Sequence, residues 1–272
     1  MQLKRWIYNA VKISKFAKRD KLKLFYMYLK LCFLHDKNKE YLFSPLMLNL
    51  QWNKKDFEFF VREKLDFDAL LHIFVDEEYT LDKIPEPKTI IDCGSNIGVT
   101  VIQFKLFWPN SKVIAIEPDP SNIAALSKNI KQFGNSVILI DKAASSSNNE
   151  KLDFYISQKG HMSSSIVQRR DDDEKCVVKT ITLDKVIDLH SIKHVDLLKF
   201  DVEGSEYKLF QGLKNKRNVS YIAGELHKDL IPEGFEKFLE QLTLDFDIVD
   251  GQHLINNSSV RKPVILAKYK DL

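Results

Sequence analysis

From Thr89 onward the chain alternates two hydrophobic rhythms. Short apolar runs end in an acidic or turn-forming residue: "TIID" (89–92), "KVIAIEP" (112–118), "SVILID" (136–141), "VDLLKF" (195–200) and "SYIAGE" (220–225). Such runs read as buried strands. Between the first three lie stretches with helical spacing. "NIGVTVIQFKLFW" places Val101, Phe104 and Trp108 at turn spacing, and "PSNIAALSKNI" places Ile123, Leu126 and Ile130 on one face, with Ser121 as its cap. Strands alternating with helices predict a mostly parallel sheet with right-handed crossovers. "KLDFYIS" and "VVKTITL" break this rhythm by alternating apolar and polar positions, as half-exposed strands do. They flank the polar "QKGHMSSSIVQRRDDDEK", which predicts an inserted hairpin at about 150–183 whose Ser-rich tip folds over the site. The tail "FDIVDGQHLINNSSVRKPVILAKY" predicts two strands and a long turn at an antiparallel edge. Before Pro85 the pattern is mostly helical, with aromatic clusters such as "DFEFFVREKLDFDALLHIF". The expected organisation is a helical extension or cap at 1–84 and an α/β domain at 85–272.

Charge changes the picture at one end. Residues 1–40 carry eleven Lys/Arg against three Asp/Glu, whereas the rest of the chain carries 30 against 35. Within this basic part Trp6, Val11, Ile13 and Phe16, then Leu22, Phe25, Leu29 and Phe33, recur at helical spacing. Two readings follow. The stripe packs on the main domain as a cap with its lysines in water, or a basic amphipathic helix makes peripheral contact with an anionic membrane. Aromatic-rich helices of this kind could also pair two copies as a homodimer. No apolar run approaches the roughly 20 residues that cross a bilayer, and no secretory signal pattern is visible. Cys32, Cys93 and Cys176 lie far apart and form no C-x-x-C pair, which fits a cytoplasmic protein without structural zinc. No zinc-finger, RNP or helix-turn-helix pattern points to nucleic acid.

Candidate chemistry gathers at the strand ends. "DCGSNIG" (92–98) follows the first strand and opens a helix, where an open α/β sheet binds its ligand. It is D-x-G-x-x-x-G, not the dinucleotide G-x-G-x-x-G, because Asn96 replaces the middle glycine. Asp92 puts a carboxylate at the loop entrance, which suits a ligand carrying an ammonium and a sulfonium, as S-adenosylmethionine does. Glu117 ends the second strand, where an acid accepts both hydroxyls of a ribose. Asp141, ending the third, is the candidate for an adenine amino group. In "VDLLKFDVEGSEYKLFQGLK", Lys199, Asp201 and Glu203 alternate with apolar residues and share one face if the strand continues that far. "GELH" places Glu225 and His227 at the same rim, and His227 can take a proton near neutrality.

These pieces, in this order, resemble the FkbM family of S-adenosylmethionine-dependent methyltransferases: "IIDCGSNIGVTVI", "VIAIEPDP", "TLDKV" before "VDLLKFDVEGSEYKLFQG", and "GELH". The resemblance covers the chain from about Pro85 and implies a class I Rossmann-like fold, a seven-stranded sheet of order 3-2-1-4-5-7-6 with its seventh strand antiparallel. It implies methylation of hydroxyls, often on sugars of glycans or on secondary metabolites. The cofactor-binding set is then Asp92, Gly94, Ser95, Asn96, Gly98, Glu117, Pro118 and Asp141. The catalytic set is Lys199, Asp201, Glu203, Glu225 and His227, with Asp201, Glu203 or His227 accepting the proton and Lys199 orienting the acids. Mg²⁺ on Asp201, Glu203 and Glu225 is the less favoured arrangement beside a metal-free site. An NAD-type oxidoreductase and a non-catalytic cofactor-binding scaffold are the alternatives.

Overall fold

The computed structural model describes residues 13, 16–34, 45–76, 79, 81–157, 164–257 and 259–271. Its first elements are α1 (Lys18–Leu34), the strands β1 (Leu46–Trp52) and β2 (Lys55–Val61), and α2 (Lys64–Val75). The hairpin β1–β2 stands where a helix was expected. Its cause is a period of two, with Leu48, Leu50, Phe57 and Phe59 buried on one face. Asn53 and Lys54 link the strands with φ of 48° and 65°, the left-handed pair that a two-residue hairpin turn requires.

The other strands are β3 (Thr89–Cys93), β4 (Lys112–Ile116), β5 (Val137–Ile140), β6 (Ala143–Ala144), β7 (Lys151–Ile156), β8 (Glu174–Ile181), β9 (Val195–Phe200), β10 (Val219–Glu225), β11 (Phe246–Asp250) and β12 (Val264–Tyr269). Seven form one sheet, in the order β5-β4-β3-β9-β10-β12-β11. Numbered along the chain within that sheet, the order is 3-2-1-4-5-7-6, as expected. β12 runs antiparallel to both β10 and β11. The insertion makes a separate sheet in which β8 pairs with β7 and with β6, just after β5.

α3 (Val99–Phe107) and α4 (Pro120–Ile130) follow β3 and β4. α4 begins one residue earlier than its expected cap. Asp119, not Ser121, is the N-cap, and its carboxylate accepts from the backbone N–H of Ser121 and Asn122, while Pro120 supplies a pre-set first helical φ. α1 also departs from expectation. Leu24, Met27 and Tyr28 form its buried face, and the stripe through Leu22 and Phe25 points to solvent. Trp6, Val11 and the side chain of Phe33 lie outside the described residues.

The N-terminal elements share a core with the sheet. One buried cluster runs from Ile13 and Phe16 through the hairpin and α2 to β3, α3, β4 and α4. Phe74 of α2 sits at its centre, stacked on Phe57 at 5.3 Å and edge-on to Trp52 at 5.4 Å. Polar ties cross the same junction. Asn129 Oδ1 accepts from Phe60 N at 2.6 Å, and the Arg62 guanidinium donates to Asp66 and to the Ser121 carbonyl. Truncating Phe74 to Ala should therefore destabilise the whole protein by about 3–5 kcal/mol. Calorimetry should show one lowered transition; an unchanged main transition with a separate early one would mean that the N-terminal elements fold apart from the sheet.

Candidate functional site

Parallel pairing brings the carboxyl ends of β3, β4, β9 and β10 to one edge. The loop after β3 crosses that edge closely. Gly94 has φ 74°, and a Cβ there would stand 1.8 Å from the Asp201 carbonyl oxygen. Only glycine fits both the left-handed backbone and that approach. Gly94 and Ser95 donate backbone N–H bonds to the Ile116 carbonyl, and Gly98, with φ 85°, starts α3 against Leu126. Asn96 also takes a positive φ, 49°, and its side-chain oxygen accepts from the N–H of Ile97.

Glu117 fastens this loop to β4. One carboxylate oxygen accepts from Asn96 N at 2.8 Å and the other from Asp119 N at 2.9 Å. Burial pushes its pKa up to about 7, the nearby Asp119 charge adds to the rise, and the two backbone N–H donors oppose it. Asp92 and Lys199 face each other in register on β3 and β9. Both are buried, with Lys199 Nζ 2.9 Å from Asp92 Oδ1 and donating to the Gly94 carbonyl at 2.9 Å. Thr100 donates to the other Asp92 oxygen at 2.6 Å. Lys199 is thus turned toward the loop rather than toward the acids at 201 and 203.

β9 ends at Phe200, so alternation along a strand does not carry Asp201 and Glu203 to one face. A left-handed turn does so, with φ 47° at Glu203 and 102° at Gly204. His227 is fully buried behind these acids. Its Nδ1 lies 2.6 Å from Glu206 Oε1, also fully buried, and its Nε2 lies 2.9, 3.4 and 3.7 Å from Glu203, Glu225 and Asp201. Lys262 approaches Glu203 at 3.0 Å and Glu225 at 3.6 Å, and Arg169 pairs with Glu203. Burial alone would lower the pKa of His227, but hydrogen bonds to Glu203, Glu206 and Glu225 and the Asp201 charge raise it to about 12. Burial would raise Glu203, yet His227, Lys262 and Arg169 bring it down to about 2. Glu225 is lowered in the same way, against the effect of its burial. Asp201 goes the other way. Burial and the charges of Glu225 and Glu203 hold its carboxyl well above the usual range. Asp201, Glu203, Glu225 and His227 offer ligand atoms within 4.8 Å of one another, so a cation could fit there.

Two cavities meet over this edge, sharing Gly94, Asp201 and Glu203. The smaller, about 50 Å³, is bordered by Glu117, Pro118, Ala143, Ala144 and Phe154. The larger, about 230 Å³, is bordered by Ser95, Asn96, Lys199, Glu225, Lys262 and Tyr79. Ala69, His72 and Ile73 of α2 complete its wall. Asp141 is exposed and borders neither cavity; Ala143 and Ala144 stand at the corresponding place. Asp92 and His227 act from behind the lining. Phe154, Ser164 and Ile166 bring the insertion onto the smaller cavity, and Ser164 donates to Asp119 at 3.0 Å. Most of its tip, 158–163, lies outside the described residues. Sequence reasoning missed Arg169, Glu206, Lys262, Tyr79 and α2. Glu206 had a signal, a second acid three residues after Glu203, whereas the others arrive from distant segments.

The Methyltransferase FkbM domain matches residues 92–246 of this chain. Over 169 residues the chain is 25% identical to the hexuronic acid methyltransferase AglP of Haloferax volcanii, covering 62% of this chain and 68% of that protein. Over 164 residues it is 24% identical to "Methyltransferase 1" of Beauveria bassiana, covering 53% and 66%. It thus spans about two thirds of the length of both relatives. Among solved structures, the Methanococcus jannaschii fibrillarin pre-rRNA processing protein aligns with a TM-score of 0.46 at 15% identity, covering 86% of this chain and 85% of the other. The match to the FkbM domain spans more than half of the sequence, and the chain belongs to the FkbM family of methyltransferases, whose cofactor is S-adenosylmethionine.

Proposed function

We propose that the protein is an O-methyltransferase that moves the methyl group of S-adenosylmethionine to a hydroxyl of a sugar, on a glycan or glycoconjugate. One observation carries the reading: Asp201, an acid held well above its usual pKa, borders both cavities beside Gly94. When bound, the cofactor supplies a methyl group already activated on a positive sulfur. The residues fit that ligand. Gly94 borders both cavities, Glu117 keeps lone pairs free for a ribose diol, and Ala143 and Ala144 offer an apolar wall for adenine.

The rest is positioning and proton handling. The chain's own residues would hold an acceptor hydroxyl in line with that methyl group, exclude water and take up the proton the hydroxyl loses. Of the three candidates, His227 is protonated and Glu203 is consumed by three cations, which leaves Asp201. A raised pKa makes the ionised carboxylate a stronger base. His227, fixed by Glu206, holds Glu203 and Glu225 in place. Arg169 ties the insertion to this cluster as a latch. We assign residues 1–84 the role of a cap on the 85–272 domain, with Ala69, His72, Ile73 and Tyr79 shaping the acceptor side. Carboxylates beside an aromatic ring suit a polyol, and the name of the Haloferax relative, a hexuronic acid methyltransferase, accords with a sugar acceptor. Because His227, Lys262 and Arg169 already face the acids, the site works without a metal.

Four outcomes test this. Asp201→Asn should lower methyl transfer by about 10²–10⁴-fold and leave S-adenosylhomocysteine affinity nearly unchanged by calorimetry; full activity would remove Asp201 as base. A diol donates best to an ionised acid, so product affinity should fall as pH drops below about 7, where Glu117 takes up a proton. In Glu117→Gln that slope should flatten. The same raised pKa makes the ligand-free protein lose stability as pH rises from the ordinary carboxyl range through about 7. Turnover should survive EDTA, and loss that Mg²⁺ restores would assign the acids to a cation instead.

A further inference from the structure

The outward face of α1 is left unexplained by catalysis. α1 buries Leu24, Met27 and Tyr28, with Tyr28 stacked on Phe67 of α2 at 6.1 Å. Its opposite side carries Leu22, 82% exposed, Tyr26, 64%, and Phe25, 40%. With Leu29 they stand at i, i+3, i+4 and i+7, which is one continuous stripe. A helix on a protein surface ordinarily shows polar residues there. The exposed Lys18 and Lys23 and the half-buried Lys21 lie beside the stripe. The one acid of α1, Asp20, is buried and accepts from the backbone N–H of Gln51 at 2.7 Å, so α1 offers that face no negative charge.

Charge selects the occupant. Eleven basic residues against three acidic ones in 1–40 would repel in a symmetric contact between two copies. An anionic lipid surface complements both features, since apolar side chains enter the boundary between headgroups and acyl chains while lysines meet the phosphates. Among the described residues no helix is long and apolar enough to cross a membrane, so α1 would lie in the surface plane. We propose that α1 seats the protein on anionic membranes, with Leu22, Phe25 and Tyr26 inserted and Lys18, Lys21 and Lys23 paired with lipid phosphates.

The test is flotation of the full chain with vesicles of equal parts phosphatidylcholine and phosphatidylglycerol, and with phosphatidylcholine alone. The chain should float with the first and not the second. Raising salt from about 0.1 to 1 M, which shortens the screening length from about 10 to 3 Å, should weaken binding. The double variant Leu22→Gln/Tyr26→Ser alters two exposed side chains; it should keep its circular dichroism and its S-adenosylhomocysteine affinity yet bind these vesicles about tenfold more weakly. Absence of flotation, equal flotation with both compositions, or undiminished binding of the double variant would overturn the proposal. So would a dimer, by light scattering, that the double variant splits.

Discussion

The site depends on a close approach between two backbones. The loop leaving β3 crosses the end of β9 at Gly94, where no side chain fits against the Asp201 carbonyl. The buried Asp92–Lys199 pair clamps the two strands just before that crossing, and Lys199 reaches on to the Gly94 carbonyl. A charge buried this deeply stays only because its partner is in place, and breaking such a pair by removing one member typically costs about 3–5 kcal/mol. The acid at the loop entrance is therefore spent on architecture. It holds the loop from behind, and the loop's backbone and Glu117 present the surface that a ligand would meet.

A second consequence concerns charge balance. Four acids, Asp201, Glu203, Glu206 and Glu225, surround His227, with Lys262 and Arg169 beside them. The cations do not share themselves evenly. Glu203 and Glu225 are lowered by them, and Asp201 is left raised. Environment thus separates three neighbouring carboxylates into two that are ion-paired and lowered and one whose pKa is raised. Two of the cations come from outside the β3–β9 edge, Arg169 from the insertion and Lys262 from just before β12, so distant chain segments help hold Glu203 ionised.

Much of this was legible in the sequence for physical reasons. Runs such as "TIID" and "VDLLKF" are buried on both sides and read as inner strands, which made the parallel sheet readable, while its strand order was implied by the resemblance to the FkbM family. Glycines at 94 and 98 marked the loop because the backbone conformation leaves no substitute. The hairpin at 46–61 was obscured because its aromatic residues also fit helical spacing, and the turn at Asn53–Lys54 decides the matter. Ser121 yielded its capping role to Asp119, whose shorter reach to the first free N–H groups is visible only once the chain bends. Asp141 ends its strand pointing to water, although its position matches a ligand-binding acid. Lys199 could not be aimed from sequence, since alternation gives its face and not its partner. Arg169, Lys262 and α2 reach the site from far along the chain, which no local pattern records.

The central claim is that one edge, Gly94 with Glu117 on one side and Asp201 on the other, cradles the cofactor beside its base. A crystal structure with S-adenosylhomocysteine measures this directly. The account predicts the ribose diol on Glu117, adenine against Ala143 and Ala144, and the sulfur beside Gly94 facing the cavity that Asp201 borders. A ligand seated elsewhere, or one that leaves Asp201 on the far side of the chain from its sulfur, would contradict it.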